Sequence, residues 1–345
     1  MEGQQEPAPR IAVVGSLNAD VTLWVPRRPS PDETMHAERI AWFRGGKGAN
    51  QAVAAARLGA EVAMVGRVGN DEHGRWLRSG LAAEGIDCTQ VTAVEAATGL
   101  AVITVDPHDV SIVVAAGANA LLDANDVRAA GAAIAGADAL LLQGEVSAGA
   151  AAAAAEIARE HSVLVVANPA PYNDVAAAAV PLADVVIVNR DEARRLRDDM
   201  AAGTAPALRP DAVLVETRGA QGCVVVAPRA AGSARRSAPD GPVDASASGY
   251  ATSLVSGGTA RGDVVVAAPR VEVVDATGAG DAFAGAFAVA MASGATVEEA
   301  ARLAVRAGAW AVTVAGAQPS LPTMDQLRRL EDHAVSAVST APASG

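Results

Sequence analysis

The residues with the clearest chemical potential lie between 273 and 287, where Asp281 follows Gly278-Ala279-Gly280 at the start of a helix-forming run. The β-branched residues before this turn predict a strand that leads into it. A helix N-terminus offers unpaired backbone N–H groups and a partial positive charge, and the small residues leave room for an anion. Asp281 puts a carboxylate beside that anion site, where it could accept a proton. Such an arrangement suits phosphoryl transfer to an alcohol, although an ordinary helix cap has the same pattern.

A second glycine-rich turn, residues 44–51, leads into the helix-forming run 52–58. Its order of residues is not that of a P-loop, G-x-x-x-x-G-K-[ST]. Glycines on both sides of Lys47 let the backbone approach a small ligand closely, and Lys47 and Asn50 could hydrogen-bond to its hydroxyl groups. Lys47 is the only lysine in a chain that otherwise uses arginine for positive charge. A position where a compact ammonium group is needed is one explanation, and chance is the alternative.

The elements that must position these residues follow an alternating order. From residue 123 to 197, helix-forming runs alternate with continuous apolar runs, which is typical of a parallel sheet covered on both faces. Such sheets bind ligands at the carboxyl ends of their strands. Polar side chains occur at these strand ends, and we expect them to line one edge; for the first two, ordinary turn chemistry is the alternative. They are Asn18, Asp20, Gln143, Glu145, Asn168 and Asn189.

Other segments predict a lid, a nucleotide loop and an insertion. Extended runs at 21–25 and 34–43 flank a stretch with three prolines, which predicts a small β-sheet lid. The glycine turn 217–222 lies between two predicted strands and suits a loop over a nucleotide, with a plain β-turn as the alternative. Residues 228–263 are rich in Ala, Ser, Gly, Pro and Arg and predict a surface insertion, and 1–10 and 336–345 predict flexible tails.

Composition narrows the classes of function. A chain of 345 residues with 51% hydrophobic residues suits one large α/β domain with an appendage, or two domains. A net charge of −12 argues against nucleic acid or an anionic membrane as a partner. Cys88 and Cys223 are too few for a disulfide framework or a cysteine-rich metal site, which favours a cytoplasmic location. The polar start of the chain lacks the pattern of a signal peptide, and the alanine-rich runs are too short to span a bilayer.

Residues 45–52 and 275–281 resemble the two signatures of the PfkB, or ribokinase-like, family of carbohydrate kinases. Further similar segments occur in order between about residues 11 and 322. The resemblance implies a three-layer αβα sandwich with a mainly parallel central sheet and a small β-sheet lid. It implies a single kinase domain over 11–322, with lid segments near 21–44 and 98–115. The reaction it implies is phosphorylation of D-ribose at O5 by ATP, with Mg²⁺ and K⁺ as cofactors and a homodimer formed through the lid.

The resemblance also implies a role for each residue that matches the family pattern. Asp281 would be the general base, and Gly278, Ala279 and Gly280 would form the anion hole. The sugar contacts would come from Asn18, Ala19, Asp20, Gly46, Lys47, Gly48, Ala49, Asn50 and Glu145. The nucleotide contacts would come from Asn189, Thr217, Arg218, Gly219, Ala220, Gln221 and Gly222, together with Gly280 and Asp281. Potassium would be held by Asp275, Thr277, Ala311, Val314, Gly316 and Ser320, and Glu192 would act on magnesium indirectly.

Three positions depart from the family pattern. Ala276 stands where the family has Thr, another small polar residue or Pro; Asp32 replaces a glycine of the lid; Val305 stands where a polar residue often lies near adenine. Alternative acceptors on the same fold are fructose, 2-deoxyribose or a nucleoside such as adenosine. A nucleoside would need an apolar pocket near the lid, to which Trp24, Trp42 and Phe43 could contribute. A non-catalytic sugar-binding protein is a further alternative, whereas a dehydrogenase lacks its dinucleotide fingerprint here.

Overall fold

The apolar runs assemble into a nine-stranded sheet in the computed structural model, which describes residues 7–173, 178–205, 207–226 and 263–330. Seven neighbouring strands are parallel, and the last two at one edge are antiparallel. In spatial order the strands are β13 (Val264–Val266), β12 (Cys223–Val226), β11 (Val213–Thr217), β10 (Val185–Asn189), β9 (Leu164–Asn168), β8 (Ala139–Gln143), β1 (Arg10–Val14), β4 (Glu61–Gly69) and β5 (Asp87–Val94).

Helices cover both faces of this sheet. One face packs against α1 (Lys47–Arg57), α2 (Glu72–Ala83), α7 (Ala279–Ala292) and α8 (Val297–Ala311). The opposite face packs against α3 (Ala124–Ala129), α4 (Gly131–Ala135), α5 (Ala148–Glu160) and α6 (Arg190–Ala202). A short helix, α9 (Ala317–Ser320), and helical residues 324–330 follow. Alternate side chains of each buried strand point into the two separate cores, which is why the strands are apolar throughout.

A second, four-stranded sheet projects from the main body. Its order is β3 (Arg39–Gly45), β2 (Asn18–Trp24), β6 (Gly99–Val105) and β7 (Val110–Ala115). Because β2 follows β1 directly and β3 runs into α1, the base of this sheet adjoins the carboxyl edge of the main sheet. Asp32, in the turn between β2 and β3, has φ +63°, the left-handed conformation that a glycine would favour. We call this four-stranded sheet the lid.

Helices α1 and α7 approach each other closely at Gly285. A Cβ atom at Gly285 would lie 2.7 Å from Ala54 Cβ and 3.0 Å from Gln51 O, so no larger residue fits without movement of a helix. At the other end of α1, a Cβ at Gly48 would lie 2.6 Å from Ser16 N. These glycines let the N-terminal parts of α1 and α7 lie side by side, next to the end of β1.

The predicted fold class is confirmed: a mainly parallel sheet lies between two helical layers and carries a smaller sheet. The helix-forming residues 124–135 form two helices, divided at Ala130. One local prediction is wrong: residues 273–274 are not in a strand. Val273 and Val274 are 64% and 61% exposed, because their segment bonds to a loop, Val274 N to Val312 O (2.7 Å), and not to a sheet.

Asp71 caps α2, since its side chain accepts from Gly74 N. Some predicted features lie outside the described residues. The insertion predicted over 228–263 falls outside the described residues except for Asp263, as do 1–6 of the first tail and all of 336–345. Among the residues described, no helix is both long and apolar enough to cross a bilayer.

Candidate active site

The Asp281 carboxylate lies buried in the first turn of α7 and is held by two side-chain amides of α1. Asn50 Nδ2 donates to Asp281 Oδ2 (2.9 Å), and Gln51 Nε2 donates to Asp281 Oδ1 (3.1 Å). Each carboxylate oxygen therefore accepts one side-chain hydrogen bond from α1. The two residues come from a glycine turn more than 200 positions away in sequence, so the close approach of α1 and α7 creates this contact.

The turn before Asp281 leaves the N-terminus of α7 open. Gly278 has φ +80°, a left-handed conformation that ends the preceding loop and starts the helix. Ala279 N donates back to Ala276 O (3.3 Å). At Gly280 the position of a Cβ would have no atom within 4 Å, so an anion could reach the first-turn backbone N–H groups.

Lys47, the first residue of α1, is the cation of a cluster of carboxylates. Burial alone would lower the pKa of Lys47, but Asp281, Glu145, Glu192 and Asp20 together raise it, so the ammonium stays charged. Burial raises the pKa of Asp20 to about 7, with smaller contributions in the same direction from Glu145 and Asp281. One ammonium group therefore lies among carboxylates from β2, the loop after β8, α6 and α7.

Two predicted sugar-binding side chains are oriented by residues that the sequence did not single out. Glu145 Oε2 accepts from Ser16 Oγ and from Lys47 N (3.1 Å). Asn18 Oδ1 accepts from Asn119 Nδ2 (2.8 Å), and Asn119 is itself fixed by the backbone of Leu17. Ser16 and Asn119 are buried. Because Asn18 already uses its oxygen as an acceptor, its Nδ2 is the group left to donate to a ligand.

Three buried side-chain oxygen atoms in this region have no hydrogen-bond partner among the described residues: Asp20 Oδ1, Asn50 Oδ1 and, behind Asp281, Gln143 Oε1. Asp20 also lines a cavity of about 460 Å³ between the lid and the loops before α7 and α9. A buried acceptor without a donor is costly, and a ligand that supplies O–H groups relieves that cost. The cavity is therefore suited to a polyhydroxylated molecule.

The lid side of the same cavity is more apolar. Trp24 and Phe43 line it, together with Ile103 and Val105. Trp42, which was considered with them, belongs to the opposite face of the lid, where its ring stacks on His73 at 4.9 Å between centroids. Ala276, one of the three departures from the family pattern, also lines the cavity.

The Asn189-x-x-Glu192 segment forms a helix cap. Asn189 Oδ1 accepts from Glu192 N (2.9 Å), and Glu192 Oε2 accepts from Asn189 N (2.8 Å). This capping box starts α6 at the carboxyl end of β10. Burial raises the pKa of Glu192, whereas its bond with Asn189 N and the charge of Lys47 oppose that shift. The carboxylate is thus held near Lys47 by its own helix.

The predicted nucleotide loop lies between the antiparallel strands β11 and β12. Residues Gly219–Gln221 form a single 3₁₀ turn, and Gly222 has φ +85°. A Cβ at Gly222 would lie 1.9 Å from Val266 O, so the loop needs glycine there. Gln221 accepts from Arg190 at the start of α6. A second cavity of about 460 Å³ lies against α8 and is lined by Val266, Arg302, Val305 and Arg306, among others.

Asp275 joins the loop before α7 to the loop before α9. Asp275 Oδ1 accepts from Thr277 N (2.9 Å) and Thr277 Oγ1 (2.7 Å), and Oδ2 accepts from Gly316 N (2.8 Å). Ser320 Oγ, the side chain at the end of α9, donates to Ala317 O (2.7 Å). The structure thus places Asp275, Thr277, Gly316 and Ser320 in neighbouring loops, and Ala311 and Val314 lie at the start of the second loop.

The structure brings most of the predicted site residues to one edge of the main sheet, but not all side chains face it. Ala49 belongs to the hydrophobic core, and Ala19 is buried on the face of β2 opposite to Asn18 and Asp20. Gln51, in the glycine-rich turn, and Gln143, at a strand end, form a buried amide chain behind Asp281. The sequence alone assigned neither of them a specific contact. The signal in the sequence was a polar glutamine next to an apolar run in each case.

Comparison with known proteins places these features in context. Residues 8–257 and 250–324 match the model described as pfkB family carbohydrate kinase. The chain is 34% identical to ribokinase of Bacillus subtilis (strain 168) over 321 residues, 93% of this chain and 98% of the relative. It is 31% identical to deoxyribokinase of Salmonella typhi over 319 residues, 92% and 96% of the two chains. A solved structure of Arabidopsis thaliana ribokinase complexed with ribose and ATP is similar with a TM-score of 0.74 and 26% identity, covering 94% of this chain and 99% of that one.

We expect the stability of the protein to depend on pH through Asp20. Its folded-state pKa of about 7 lies above its ordinary value of 3.8, so this group favours folding below pH 4 and loses that contribution as pH rises through 7. Asp20→Asn removes the ionisation. Relative to wild type, its free energy of unfolding should rise by about 2–3 kcal/mol between pH 5 and pH 8, measured by urea denaturation.

Asp71→Asn is the matched control for this experiment. Hydrogen bonds from Thr98 and Gly74 outweigh burial and hold the pKa of Asp71 below its usual value, so Asp71 is ionised in both states between pH 5 and 8. Its stability difference from wild type should not change over that range. An equally constant difference for Asp20→Asn would contradict the assignment of a raised pKa.

Proposed function

The chain belongs to the pfkB family of carbohydrate kinases, and we propose that it is an ATP-dependent kinase that phosphorylates D-ribose at O5. The proposal depends mainly on two buried oxygen atoms near the base candidate Asp281, namely Asp20 Oδ1 and Asn50 Oδ1. Neither has a hydrogen-bond donor among the residues that the structure describes. A free sugar supplies several O–H donors within a small volume. The similarity to ribokinases over nearly the whole chain supports ribose as that sugar.

The transfer step uses Asp281 as the proton acceptor. The O5 hydroxyl oxygen attacks the γ-phosphorus of ATP, an O5–P bond forms, and the bond from the γ-phosphorus to the bridging oxygen breaks, which releases ADP. The O5 proton passes to the Asp281 carboxylate. Because the transition state of phosphoryl transfer is loose, most of the acceleration comes from alignment and from charge stabilisation. The α7 N-terminus at Gly278, Ala279 and Gly280 supplies N–H donors for the transferred phosphoryl group.

The sugar contacts follow from the geometry of the cluster. Asp20 and Glu145 accept from hydroxyl groups, whereas Lys47 and the Nδ2 group of Asn18 donate to hydroxyl oxygens. Asn50, which bonds Asp281 through its Nδ2, accepts through its oxygen. Gly46 and Gly48 contribute only backbone, and the absence of side chains there keeps the turn close to the ligand. This set of donors and acceptors discriminates sugars by the number and position of their hydroxyl groups.

The nucleotide lies along the loop after β11 in this proposal. Its phosphates pass Asn189 and the backbone of Thr217–Gly222 towards the start of α7, and adenine occupies the cavity against α8. Val305 gives that cavity an apolar contact in place of a polar one. Bound Mg²⁺ would neutralise the phosphates; Glu192 fits an indirect role, since one of its oxygens already caps α6 and the carboxylate stays near Lys47.

Potassium is proposed to act on the loops around Asp275. The candidate ligands are all oxygen atoms, from the Asp275 carboxylate, the Thr277 and Ser320 hydroxyls and the carbonyls of Ala311, Val314 and Gly316. Oxygen-only sets suit hard cations. Asp275 joins the two loops, and Thr277 directly precedes Gly278. A cation held there would fix the turn that starts α7 and so keep the anion hole in place.

A homodimer through the lid is supported by an exposed apolar strip. Val110, Ile112 and Val114 of the edge strand β7 are 48%, 56% and 48% exposed and alternate along one face. These residues pair with Val105, Ile103 and Ala101 of β6, so the strip continues the face that lines the sugar cavity.

We propose residues 11–322 as one kinase domain, with the lid formed by segments near 21–44 and 98–115. A cytoplasmic location is proposed from the unpaired thiols of Cys88 and Cys223.

A nucleoside or 2-deoxyribose is the second candidate acceptor. The observation in favour of a nucleoside is the apolar lid side of the cavity, where Trp24 and Phe43 could contact a base. The similarity to a deoxyribokinase raises the case of a sugar without its 2-hydroxyl group. Both candidates keep Asp281 and the anion hole and change only the contacts of the rest of the acceptor.

The acceptor is tested by ADP release with MgATP and K⁺ against D-ribose, 2-deoxyribose, D-fructose and adenosine. We expect kcat/KM for D-ribose to exceed the others by at least about 10-fold, because polar groups that bind hydroxyls stay unpaired with the wrong sugar.

Asp281→Asn should lower kcat by ~10²–10⁴ and leave the KM for ribose within about threefold. Asp325→Asn, an exposed carboxylate paired with Arg328, is the matched control with wild-type kinetics. Wild-type turnover in Asp281→Asn would refute the base, and preference for another acceptor would reassign the sugar pocket.

The potassium proposal predicts a specific cation dependence. Replacing K⁺ by Na⁺ or choline at constant ionic strength should lower wild-type kcat by about fivefold or more, the lower range of coupling between two binding events. Asp275→Asn should show the low turnover in every salt. Equal wild-type activity in K⁺ and choline would show that these loops need no cation.

The dimer is tested by sedimentation equilibrium. The wild type should have twice the 34.4 kDa mass of the chain. Ile112→Arg should sediment as a monomer, because a charged side chain would be buried without a partner. Val265→Arg replaces an equally exposed valine of β13, far from the lid, and should remain dimeric. A monomeric wild type, or a dimeric Ile112→Arg, would refute a lid interface.

A further inference from the structure

Behind the candidate base lies a chain of buried amides that the proposed reaction does not use. Gln51 is 0% exposed, and its Nε2 group donates both to Asp281 Oδ1 (3.1 Å) and to Asn168 Oδ1 (3.1 Å). Its oxygen accepts from Gln143 Nε2 (2.8 Å). Asn168 is anchored in turn, since its Nδ2 donates to Ile187 O (2.8 Å). Strands β8, β9 and β10 are therefore connected through side chains to the first turn of α7.

This arrangement fixes which way the Gln51 amide points. If the amide turned over, its NH₂ group would face the Gln143 NH₂ group, and its oxygen would face two acceptor oxygens. Gln143 Oε1 has no hydrogen-bond partner among the described residues, so the direction of the Gln51 amide is set mainly by the two acceptor oxygens, Asp281 Oδ1 and Asn168 Oδ1. The donor face of Gln51 is thus directed at Asp281 by these hydrogen bonds.

Asn50, the other amide on Asp281, differs from Gln51. Asn50 Oδ1 has no partner among the described residues, so this side chain is available to a sugar and can turn when one binds. Gln51 lies one residue further along α1, has no exposed surface and has both polar atoms occupied. It can influence a bound sugar only through Asp281.

We propose that Gln51 is a positioning residue for Asp281: its amide, oriented by the acceptor Asn168 and the donor Gln143, holds the carboxylate in one orientation at the start of α7. The oxygen that faces the acceptor hydroxyl is then fixed before the sugar binds. This inference rests on the proposed kinase function, in which Asp281 takes the O5 proton. It assigns no contact with the sugar or the nucleotide to Gln51.

The charged groups around Asp281 do not replace this device. Lys47 of α1 attracts the carboxylate, and Asp20 of β2 and Glu145 after β8 repel it, while Glu192 of α6 faces Lys47. These interactions act over several ångströms and depend weakly on the rotation of the carboxylate. A hydrogen bond is directional and falls off steeply with angle, so the amide sets the orientation.

The test compares three variants by steady-state kinetics with D-ribose and MgATP. Gln51→Met keeps the length and removes both polar atoms; its kcat should fall about 10–100-fold, the effect of losing a hydrogen bond to a charged group, with KM for ribose within about threefold. Gln143→Met leaves Gln51 free to turn and should lose about 3–10-fold in kcat. Val53→Ala, buried in the same helix, is the control, with wild-type kinetics and a lower melting temperature.

A crystal structure of Gln51→Met gives a readout that does not need activity. Several orientations of the Asp281 carboxylate are expected there, against one in the wild type. If the wild type transfers phosphate to none of the acceptors, the proposed function fails and this structure alone decides on Gln51. If the wild type is active but Gln51→Met matches Val53→Ala in kcat, or if its carboxylate keeps one orientation, Gln51 is only a core residue.

Discussion

The approach of helices α1 and α7 is the constraint on which the candidate site depends. Gly285 lets the two helices come so close that a Cβ there would meet Ala54 and the Gln51 carbonyl. Only at this separation can Asn50 and Gln51 reach the carboxylate of Asp281. Both helices start at glycine turns on the carboxyl edge of the sheet, so the same packing brings the cation Lys47 and the anion-binding end of α7 to one place. The hydrophobic core and the site are two results of one contact.

In the proposed function, the charge distribution of the site favours neutral, hydroxylated ligands. Asp20, Glu145, Asp281 and Glu192 surround one ammonium group, so the cluster carries an excess of negative charge away from water. Burial of these groups is unfavourable without donors, and a sugar supplies donors without adding charge. In the proposed function the phosphoryl group is bound by backbone N–H groups at the start of α7, and Asp281 in the first turn of that helix lies where the sugar and the phosphoryl group meet.

Several residues serve folding and the site at once. Asn189 and Glu192 form the capping box that starts α6. The Glu192 carboxylate also interacts electrostatically with Lys47. Asp275 ties together two loops through three hydrogen bonds, and these loops carry the predicted cation ligands. Asn119 bonds the backbone at the base of the lid and also orients Asn18. Because such contacts join elements distant in sequence, a change at one of them alters both stability and the geometry of the site.

The sequence by itself determined the α/β fold class, the lid and the residues whose local pattern carries their meaning. Asp281 behind a small-residue turn, Lys47 between glycines and the polar strand ends are all visible within a few residues. Tertiary structure alone decided what those residues contact. The partners of Asp281 lie 230 residues away, and Ser16, Asn119, Gln51 and Gln143 gain their roles only when strands and helices pack. The raised pKa of Asp20 and the exposure of Val273 and Val274 also depend on neighbours in space, since burial and sheet pairing are properties of the packed chain.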